Sequence, residues 1–374
     1  MNAREKLRLL ADEARYDISC ACGSKENLDD HRRRGPDGLW LYPTSVPRGG
    51  TSVFLKTLLS SVCANDCRYC PLRAGRDTRR TTLDPSEIAR LFMDYVRQRE
   101  VWGLFLSSGV LGSPDNTMDR LLATARILRK RYRYRGFLHL KVIPGATDGA
   151  IEEALRLASA VSLNVEAPTP STFRRLSSTK RYEHDIVRSV RLISRLTGPN
   201  GPHRRVKQTT QFVVGAADET DTQIVQATGR LYRRWGLNRV YFSAYQHGLG
   251  DPSLPGEQRR GPAGDVLMRE HRLYQVDWLI RKYGFAPDEI PFGNDGNLPL
   301  MADPKSVWAD RHPERFPVDL NRADRHELLR VPGFGPVTVR RILACRRGGG
   351  RIHSLRQLGP MGRRLARAAR YVIV

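Results

Sequence analysis

Six short runs rich in β-branched and aromatic residues punctuate the middle of the chain: Val53–Leu59, Leu104–Ser107, Phe137–Ile143, Val161–Val165, Thr209–Val214 and Val240–Ser243. Amphipathic segments with helical spacing lie between them, namely Pro85–Arg99, Met118–Tyr132, Ala150–Ala158, Asp185–Leu196 and Asp221–Trp235. A parallel strand pair needs a crossover of a dozen or more residues, and a helix of this length supplies one. The alternation therefore predicts an α/β fold built on parallel strands. Six units are too few for a closed eight-unit barrel, so the expected architecture is a partial, open (β/α)6 TIM-like barrel. Its functional loops would gather at the C-terminal ends of the strands. No short-period repeat or low-complexity segment interrupts this pattern.

One such loop carries the strongest chemical signal. Cys63, Cys67 and Cys70 follow the first predicted strand at once, in Cys-Ala-Asn-Asp-Cys-Arg-Tyr-Cys, a C-x3-C-x2-C spacing. Three of the chain's six cysteines crowd into these eight residues, which is no disulfide framework and suits a reducing compartment. Thiolates are soft ligands, and three on one short loop can hold three irons of a cubane while the fourth iron stays open to an outside ligand. The competing readings are a tetrahedral zinc completed by Cys20, Cys22 or His31, or three structural cysteines.

Charge points to a partner. Against 39 Asp and Glu stand 63 Lys and Arg, a net charge of +24 in a chain whose hydrophobic (40%) and charged (27%) shares are those of a globular protein. Nowhere do 18 apolar residues run together, and Met1–Tyr16 has neither the apolar core nor the cleavage site of a signal peptide, so a cytoplasmic protein without a membrane partner is expected. The excess charge then answers best to nucleic acid. It is concentrated: residues 315–374 hold fourteen Arg and three acidic residues, a net +11. The prolines 287, 291, 299, 304, 313 and 317 precede or open that tail. Four segments are expected: an N-terminal extension (1–50), the barrel (51–250), a helical and irregular connector (251–314), and a small all-α domain (315–374).

Within the tail, Asp319–Leu329 reads as a helix, Val331-Pro-Gly-Phe-Gly-Pro as a turn, and Val337–Ala344 as a second helix with Pro336 at its permitted first position. Gly333 and Gly335 allow a close backbone approach, and the N–H groups opening the second helix form an anion site reinforced by the helix dipole. Ser354–Leu358, Gly359-Pro-Met-Gly and Arg363–Tyr371 repeat the plan. Phosphate contacts are expected from Gly333, Phe334, Gly335, Thr338, Arg340, Arg341, Arg363 and Arg364. The stripe of Arg and aromatic residues from Met268 to Phe285 reads as an amphipathic helix, able to stack a base or to pack as core.

At the cysteine loop, with Tyr69 before the last cysteine, the chain resembles the radical S-adenosylmethionine superfamily over roughly Thr51 to Gly250. The resemblance implies a [4Fe–4S] cluster held by Cys63, Cys67 and Cys70, S-adenosylmethionine chelated to its open iron, and a 5′-deoxyadenosyl radical. It also implies an electron donor such as flavodoxin or ferredoxin. Ser107-Ser108-Gly109 stands where that superfamily has a Gly-Gly-Glu-like segment bonding the methionine amine, here without the acidic residue. Glu166, in Leu-Asn-Val-Glu-Ala-Pro, is implied to accept bonds from the ribose hydroxyls, with Asn164 pointing the same way. Lys141, Lys180, Arg181, Gln211 and Tyr245 fall at or beyond strand ends, where ligand contacts converge. Cys20 and Cys22 are extra ligands or inert thiols, and Cys345 is expected to be structural.

The tail resembles the double helix-hairpin-helix domain of DNA-binding and repair proteins, which implies a loose grip on the backbone of duplex DNA with little base reading. The order of barrel, Arg-Leu-Tyr-Gln-Val-Asp-Trp-Leu helix, Asn297-Leu-Pro-Leu with Asp303-Pro-Lys, and terminal hairpins is similar to a bacterial family of radical enzymes described as acting in DNA modification or repair. That likeness implies a partner resembling uracil-DNA glycosylase. The expected function is radical chemistry on a nucleotide of DNA. The alternatives are the same chemistry on RNA such as tRNA, and a non-catalytic iron–sulfur nucleic-acid sensor.

Overall fold

The structure, a computed structural model, describes residues 1–14, 33–35, 37–45, 50–259, 262–360 and 362–374. Two compact units divide the chain: residues 1–219 with 230–270, and residues 220–229 with 271–374. Residues 271–314, expected as part of a connector, thus share a unit with the Arg-rich tail.

The first unit is built on one eight-stranded sheet whose spatial order is its chain order. Its strands are β1 (Arg33–Arg34), β2 (Trp40–Ser45), β3 (Thr51–Leu58), β4 (Gly103–Ser107), β5 (Phe137–Lys141), β6 (Ala160–Ser162), β7 (Lys207–Val214) and β8 (Arg239–Ala244). From β3 to β8 every pairing is parallel. Among the described residues the first and last strands do not pair, so the barrel is open, as six units require. β1 and β2 pair antiparallel and extend the sheet from the β3 edge, a feature the expected N-terminal extension did not contain.

The helices up to residue 278 are α1 (Ala3–Glu13), α2 (Pro85–Arg97), α3 (Pro114–Arg126), α4 (Asp148–Leu157), α5 (Pro170–Leu176), α6 (Arg188–Thr197), α7 (Asp221–Trp235), α8 (Pro255–Gln258) and α9 (Ala263–Trp278), of which α7 and α9 are each divided between the two units. Three of them start in one way, with a polar cap followed by proline at the first helical position: Asp84-Pro85, Ser113-Pro114 and Thr169-Pro170. There proline removes no needed N–H and its fixed φ suits the helix. Along the strands, Leu55, Leu104, Leu106, Leu138, Leu140 and Val161 are wholly buried on one face, while the residues between them face the lumen. β6 stops three residues short of the predicted Val165. The Thr210 hydroxyl donates to Leu163 O (2.7 Å) and accepts from Val165 N (3.0 Å), taking the place of ladder bonds.

The second unit holds α10 (Pro304–Asp310), β9 (Val318–Asp319), α11 (Arg325–Arg330), α12 (Pro336–Arg347), α13 (Arg363–Ala368) and β10 (Val372–Ile373). Its core packs Leu320, Leu328, Leu329, Phe334, Val339, Ile342 and Leu358. The helix expected from Asp319 begins only at Arg325, because Asp324 caps it by accepting from His326 N (2.7 Å) and Glu327 N (2.8 Å). Asp319 belongs instead to β9, which pairs parallel with β10 over two residues, an addition to the all-helical expectation. Ser354 caps the short 3-10 turn Leu355–Leu358. Among the described residues no helix is long and apolar enough to cross a membrane.

Candidate functional site

The loop that leaves β3 is irregular from Leu59 to Leu83 and is held by its own backbone and by two arginines. Leu59 N donates to Ser107 O (2.7 Å), Gly109 N to Ser60 O (2.8 Å) and Ala64 N to Val110 O (2.9 Å), which ties the cysteine loop to the end of β4. A methyl group on Gly109 would stand 2.3 Å from Val62 O, so this approach admits only glycine. Gly109→Val is expected to push the two loops apart and cut iron loading severalfold; iron-to-protein ratios after anaerobic reconstitution check it. Arg80 reaches across the loop to the carbonyls of Leu72 (2.7 Å) and Arg73 (2.9 Å). Arg73 donates to Leu249 O and Gly250 O (both 3.0 Å), and Asp251 N to Arg68 O (2.8 Å). The loop after β8 is thereby fastened to the loop after β3.

The three cysteines are free thiols, Cys67 buried and Cys63 and Cys70 partly so. Val110 N donates to Cys63 Sγ and Leu72 N to Cys70 Sγ, each at 3.4 Å. The Lys180 ammonium lies close enough to Cys67 for each to shift the other's titration. Burial pushes the Cys67 thiol up, with Lys180 opposing; burial and the charge of Cys67 push Cys70 up. Sulfurs that receive N–H donors and a nearby ammonium are suited to bind as anionic thiolates, and such hydrogen bonds tune iron–sulfur clusters. Among the described residues no three His, Cys, Asp or Glu side chains could hold a single metal ion. A cubane asks for a different arrangement, with each thiolate on its own iron. Cys20, Cys22 and His31 lie outside the described residues.

Asp66, between the first two cysteines, was missed by sequence reasoning. Its carboxylate accepts from Ser178 N (2.8 Å), Thr179 N (3.3 Å) and the Thr179 hydroxyl (2.7 Å), and so positions the segment that delivers Lys180. Burial would raise its pKa, but the bonds from Ser177, Ser178 and Thr179 hold it well below the usual carboxylate range. It is charged at neutral pH, and its stabilisation is lost only as pH falls through that depressed value. Asp66→Ala is expected to cost about 1–3 kcal/mol in denaturant unfolding of the cluster-free chain, because the buried Ser177 hydroxyl and the exposed Ser178 and Thr179 groups lose a charged acceptor.

Around this loop stand several of the residues expected from sequence. Tyr69 is close to Glu166, and burial with the charge of Glu166 pushes its phenol up. Glu166 is a non-glycine residue at φ +61°, held against β7 by its N–H to Gln211 O (3.0 Å) and by Val213 N to its own carbonyl (2.9 Å). A left-handed conformation at such a residue costs about 1–2 kcal/mol and marks a constrained position. Burial would pull the Lys180 ammonium down, but the Cys67 thiol and Glu166 hold it up. Ser107, Asn164, Gln211 and Lys141 are buried at or near the strand ends. Ser108 lies partly buried beside them and donates to Gly109 O (2.6 Å).

Three expectations fare differently. The Arg181 side chain is exposed and turns to His184 Nδ1 (2.9 Å) and Asp185, away from the cysteine loop. Tyr245 gives its hydroxyl to Glu257, which also accepts from Gly248 N and Gly250 N (both 2.9 Å), so it braces the post-β8 loop. Cys345 is exposed on α12 and is not a core thiol.

In the second unit, Gly333 sits at φ +90° where a methyl group would stand 2.0 Å from Arg364 O. Gly335 caps α12 and Pro336 fills its first position. The Phe334 side chain is 2% exposed, so the ring is core and only its backbone is available to a ligand. Its carbonyl accepts from the buried Lys305 Nζ (2.7 Å). Arg340, Arg341, Arg363 and Arg364 are exposed and Thr338 partly so. Arg341 also reaches Leu358 O (2.9 Å), joining the two hairpins.

Residues 57–231 match the family model of the radical SAM superfamily. No curated protein sequence matches the chain. Solved structures similar to it include HydG, a maturase of the [FeFe]-hydrogenase (13% identity, TM-score 0.43, covering 59% of this chain and 49% of that one). A second is HydG from Carboxydothermus hydrogenoformans (15% identity, TM-score 0.47, covering 60% and 51%). A third is methylornithine synthase, PylB (14% identity, TM-score 0.45, covering 74% and 68%). The chain thus spans about half the length of the HydG chains it matches.

Proposed function

We propose, from the premise that residues 57–231 are a radical SAM domain working with a [4Fe–4S] cluster and S-adenosylmethionine, that the protein is an enzyme acting on a nucleotide of DNA. Cys63, Cys67 and Cys70 would hold the cluster, which with S-adenosylmethionine supplies a 5′-deoxyadenosyl radical. Lys180 places positive charge beside the thiolates, and Glu166, braced by β7 and close to Tyr69, offers a fixed carboxylate to hydroxyl groups. Ser107 to Gly109, bonded to the cysteine loop, present backbone and hydroxyl groups to the same space.

The substrate reading rests on one observation, the glycine turn at Gly333–Gly335 that opens α12 in an Arg-rich, twice-repeated hairpin. Such an N-terminus offers N–H donors and a positive dipole end to a phosphate, and exposed arginines add counterion release. This is the grip of a helix-hairpin-helix domain. A nucleotide in a duplex must leave the stack to reach a buried radical, which costs a few kcal/mol and favours a damaged or mismatched position.

Duplex binding measured against salt tests this reading: the affinity should fall steeply, with a log–log slope of about −0.9 per phosphate neutralised. Competition by folded RNA at matched salt separates DNA from RNA, and 5′-deoxyadenosine formation with reductant separates an enzyme from a sensor. A flat salt response contradicts phosphate gripping.

A further inference from the structure

The barrel carries its charge on one rim. On the cysteine-loop side, the connecting residues 59–84, 108–113, 142–147, 163–169, 177–181, 215–220 and 245–254 hold seven Lys and Arg against seven Asp and Glu. On the opposite rim, residues 97–102, 130–136, 158–159, 198–207 and 233–238 lead into β4, β5, β6, β7 and β8, and hold eleven Lys and Arg against Glu100 alone. That is a net +10, against +11 for the whole tail. All eleven are exposed, and among the described residues only Arg97 has a carboxylate partner, Asp94 at 3.0 Å. Glu100 is itself paired, with Arg33 at 3.3 Å.

The ladders set the strand starts side by side: Gly103 lies opposite Phe137, Ala160 opposite Lys207, and Thr209 opposite Arg239. Bonds between the segments then hold the rim together. Arg129 donates to Leu157 O (2.8 Å), Tyr134 O (2.8 Å) and Gly136 O (2.9 Å), and the Tyr134 hydroxyl to Trp102 O (2.8 Å). Lys207 N donates to Ser159 O (3.2 Å) and Asn238 N to Gln208 O (2.9 Å). Two of the exposed arginines occupy backbone suited to glycine. Arg99, at φ +59°, closes α2, with its N–H on Val96 O and Glu100 N on Tyr95 O (both 3.0 Å), a helix end at which glycine is usual. Arg133, at φ +51°, follows the turn Ile127–Arg131 in the same left-handed state. The helix dipole favours a cation there, yet twice on one rim the unstrained residue is passed over, and such strain collects where a side chain is needed. Trp102, on the same rim, is 62% exposed.

We infer that this rim is a second nucleic-acid-binding surface, which grips the phosphate backbone of duplex DNA at a distance from the cysteine loop. Nine of the eleven cations are arginines, whose planar fork matches phosphate oxygens two at a time. From β4 to β8 the rim spans four strand spacings, about 19 Å, and over that length a duplex carries about eleven negative charges. Rim and duplex thus have charge of similar density and opposite sign. A lipid surface would call for several apolar side chains to insert, and Trp102 is the one large apolar side chain exposed on these segments. The five residues of β4 separate the rim from the cysteine-loop side by about 15 Å of strand. The DNA held here is therefore a stretch other than the one that meets the radical, and the rim serves as an anchor. This goes beyond the hairpin reading, because it stands on the charge of the first unit alone.

The test is fluorescence anisotropy of the full chain with a labelled duplex, titrated at several salt concentrations. Arg99→Gly with Arg133→Gly removes two charges while giving the backbone the residue it favours, so the fold is kept. Arg204→Gln with Arg205→Gln removes two more from another segment. Each pair should weaken duplex binding about tenfold or more near physiological salt and flatten the log–log salt slope by about 1.8, since each lost phosphate contact removes about 0.9. Arg204→Lys with Arg205→Lys should keep the slope, which counts charges. Gly333→Ala reports separately on the hairpins. Loss of binding in the rim pairs but not in Gly333→Ala supports the rim surface and refutes the hairpin grip. Loss in Gly333→Ala with both rim pairs binding as the parent does overturns the rim surface and leaves the hairpin reading in place. Rim pairs that keep the parent's duplex affinity and lose only an acidic protein or anionic vesicles overturn it as well.

Discussion

Cys67→Ala is expected to abolish cluster assembly while leaving the barrel folded. Cys67 is the buried member of the trio, placed between the backbone turn to Cys70 (N to O, 2.8 Å) and the Lys180 ammonium. Two thiolates cannot hold a cubane that depends on three, so iron content after anaerobic reconstitution should fall to background and 5′-deoxyadenosine formation with it. The loop itself is held by Arg80, Arg73 and backbone bonds that do not involve the sulfur. Far-ultraviolet circular dichroism should therefore be unchanged. A variant that loads iron as the parent does would remove Cys67 from the ligand set.

Gly333→Ala is the second large effect. At φ +90° any side chain is strained by about 1–2 kcal/mol, and the added methyl would overlap Arg364 O at 2.0 Å, a backbone atom that cannot swing aside. Overpacking of this kind adds about 1–3 kcal/mol, for a total of roughly 2–5 kcal/mol against the second unit. Duplex affinity should drop by about tenfold or more as the turn and α13 separate, whereas iron loading of the first unit should be unaffected. Fluorescence anisotropy with labelled duplex, alongside iron assay, separates the two readouts.

The six parallel strands were legible because buried strands of an α/β barrel read as runs of Leu, Val, Ile and Phe, and because the helices between them carry clear caps. β1 and β2 were not: β1 is two residues long, and Pro43 within the run of β2 argues against a strand there. The cysteine spacing alone located the centre of the site, and the resemblance at Glu166 led to a residue whose positive φ no sequence feature announces. Lys180 and Arg181 are adjacent and looked equivalent in sequence. The bonds of Asp66 to Ser178 and Thr179 turn the first toward Cys67, while Asp185 draws the second out to solvent. That distinction depends on contacts over a hundred residues apart. The proline-rich stretch was read as irregular connector, yet Asp303-Pro304 repeats the cap-and-proline start seen in the barrel helices and opens α10. Phe334 illustrates the converse: a residue inside a glycine turn looks exposed until the core cluster around it is known.

The most direct test of the central claim is electron paramagnetic resonance of the anaerobically purified, reduced chain, recorded with and without S-adenosylmethionine. The three-cysteine loop predicts a [4Fe–4S] signal whose shape changes when S-adenosylmethionine is added, because the ligand reaches an iron the protein leaves open. Zinc in place of iron, or a signal indifferent to S-adenosylmethionine, would contradict it.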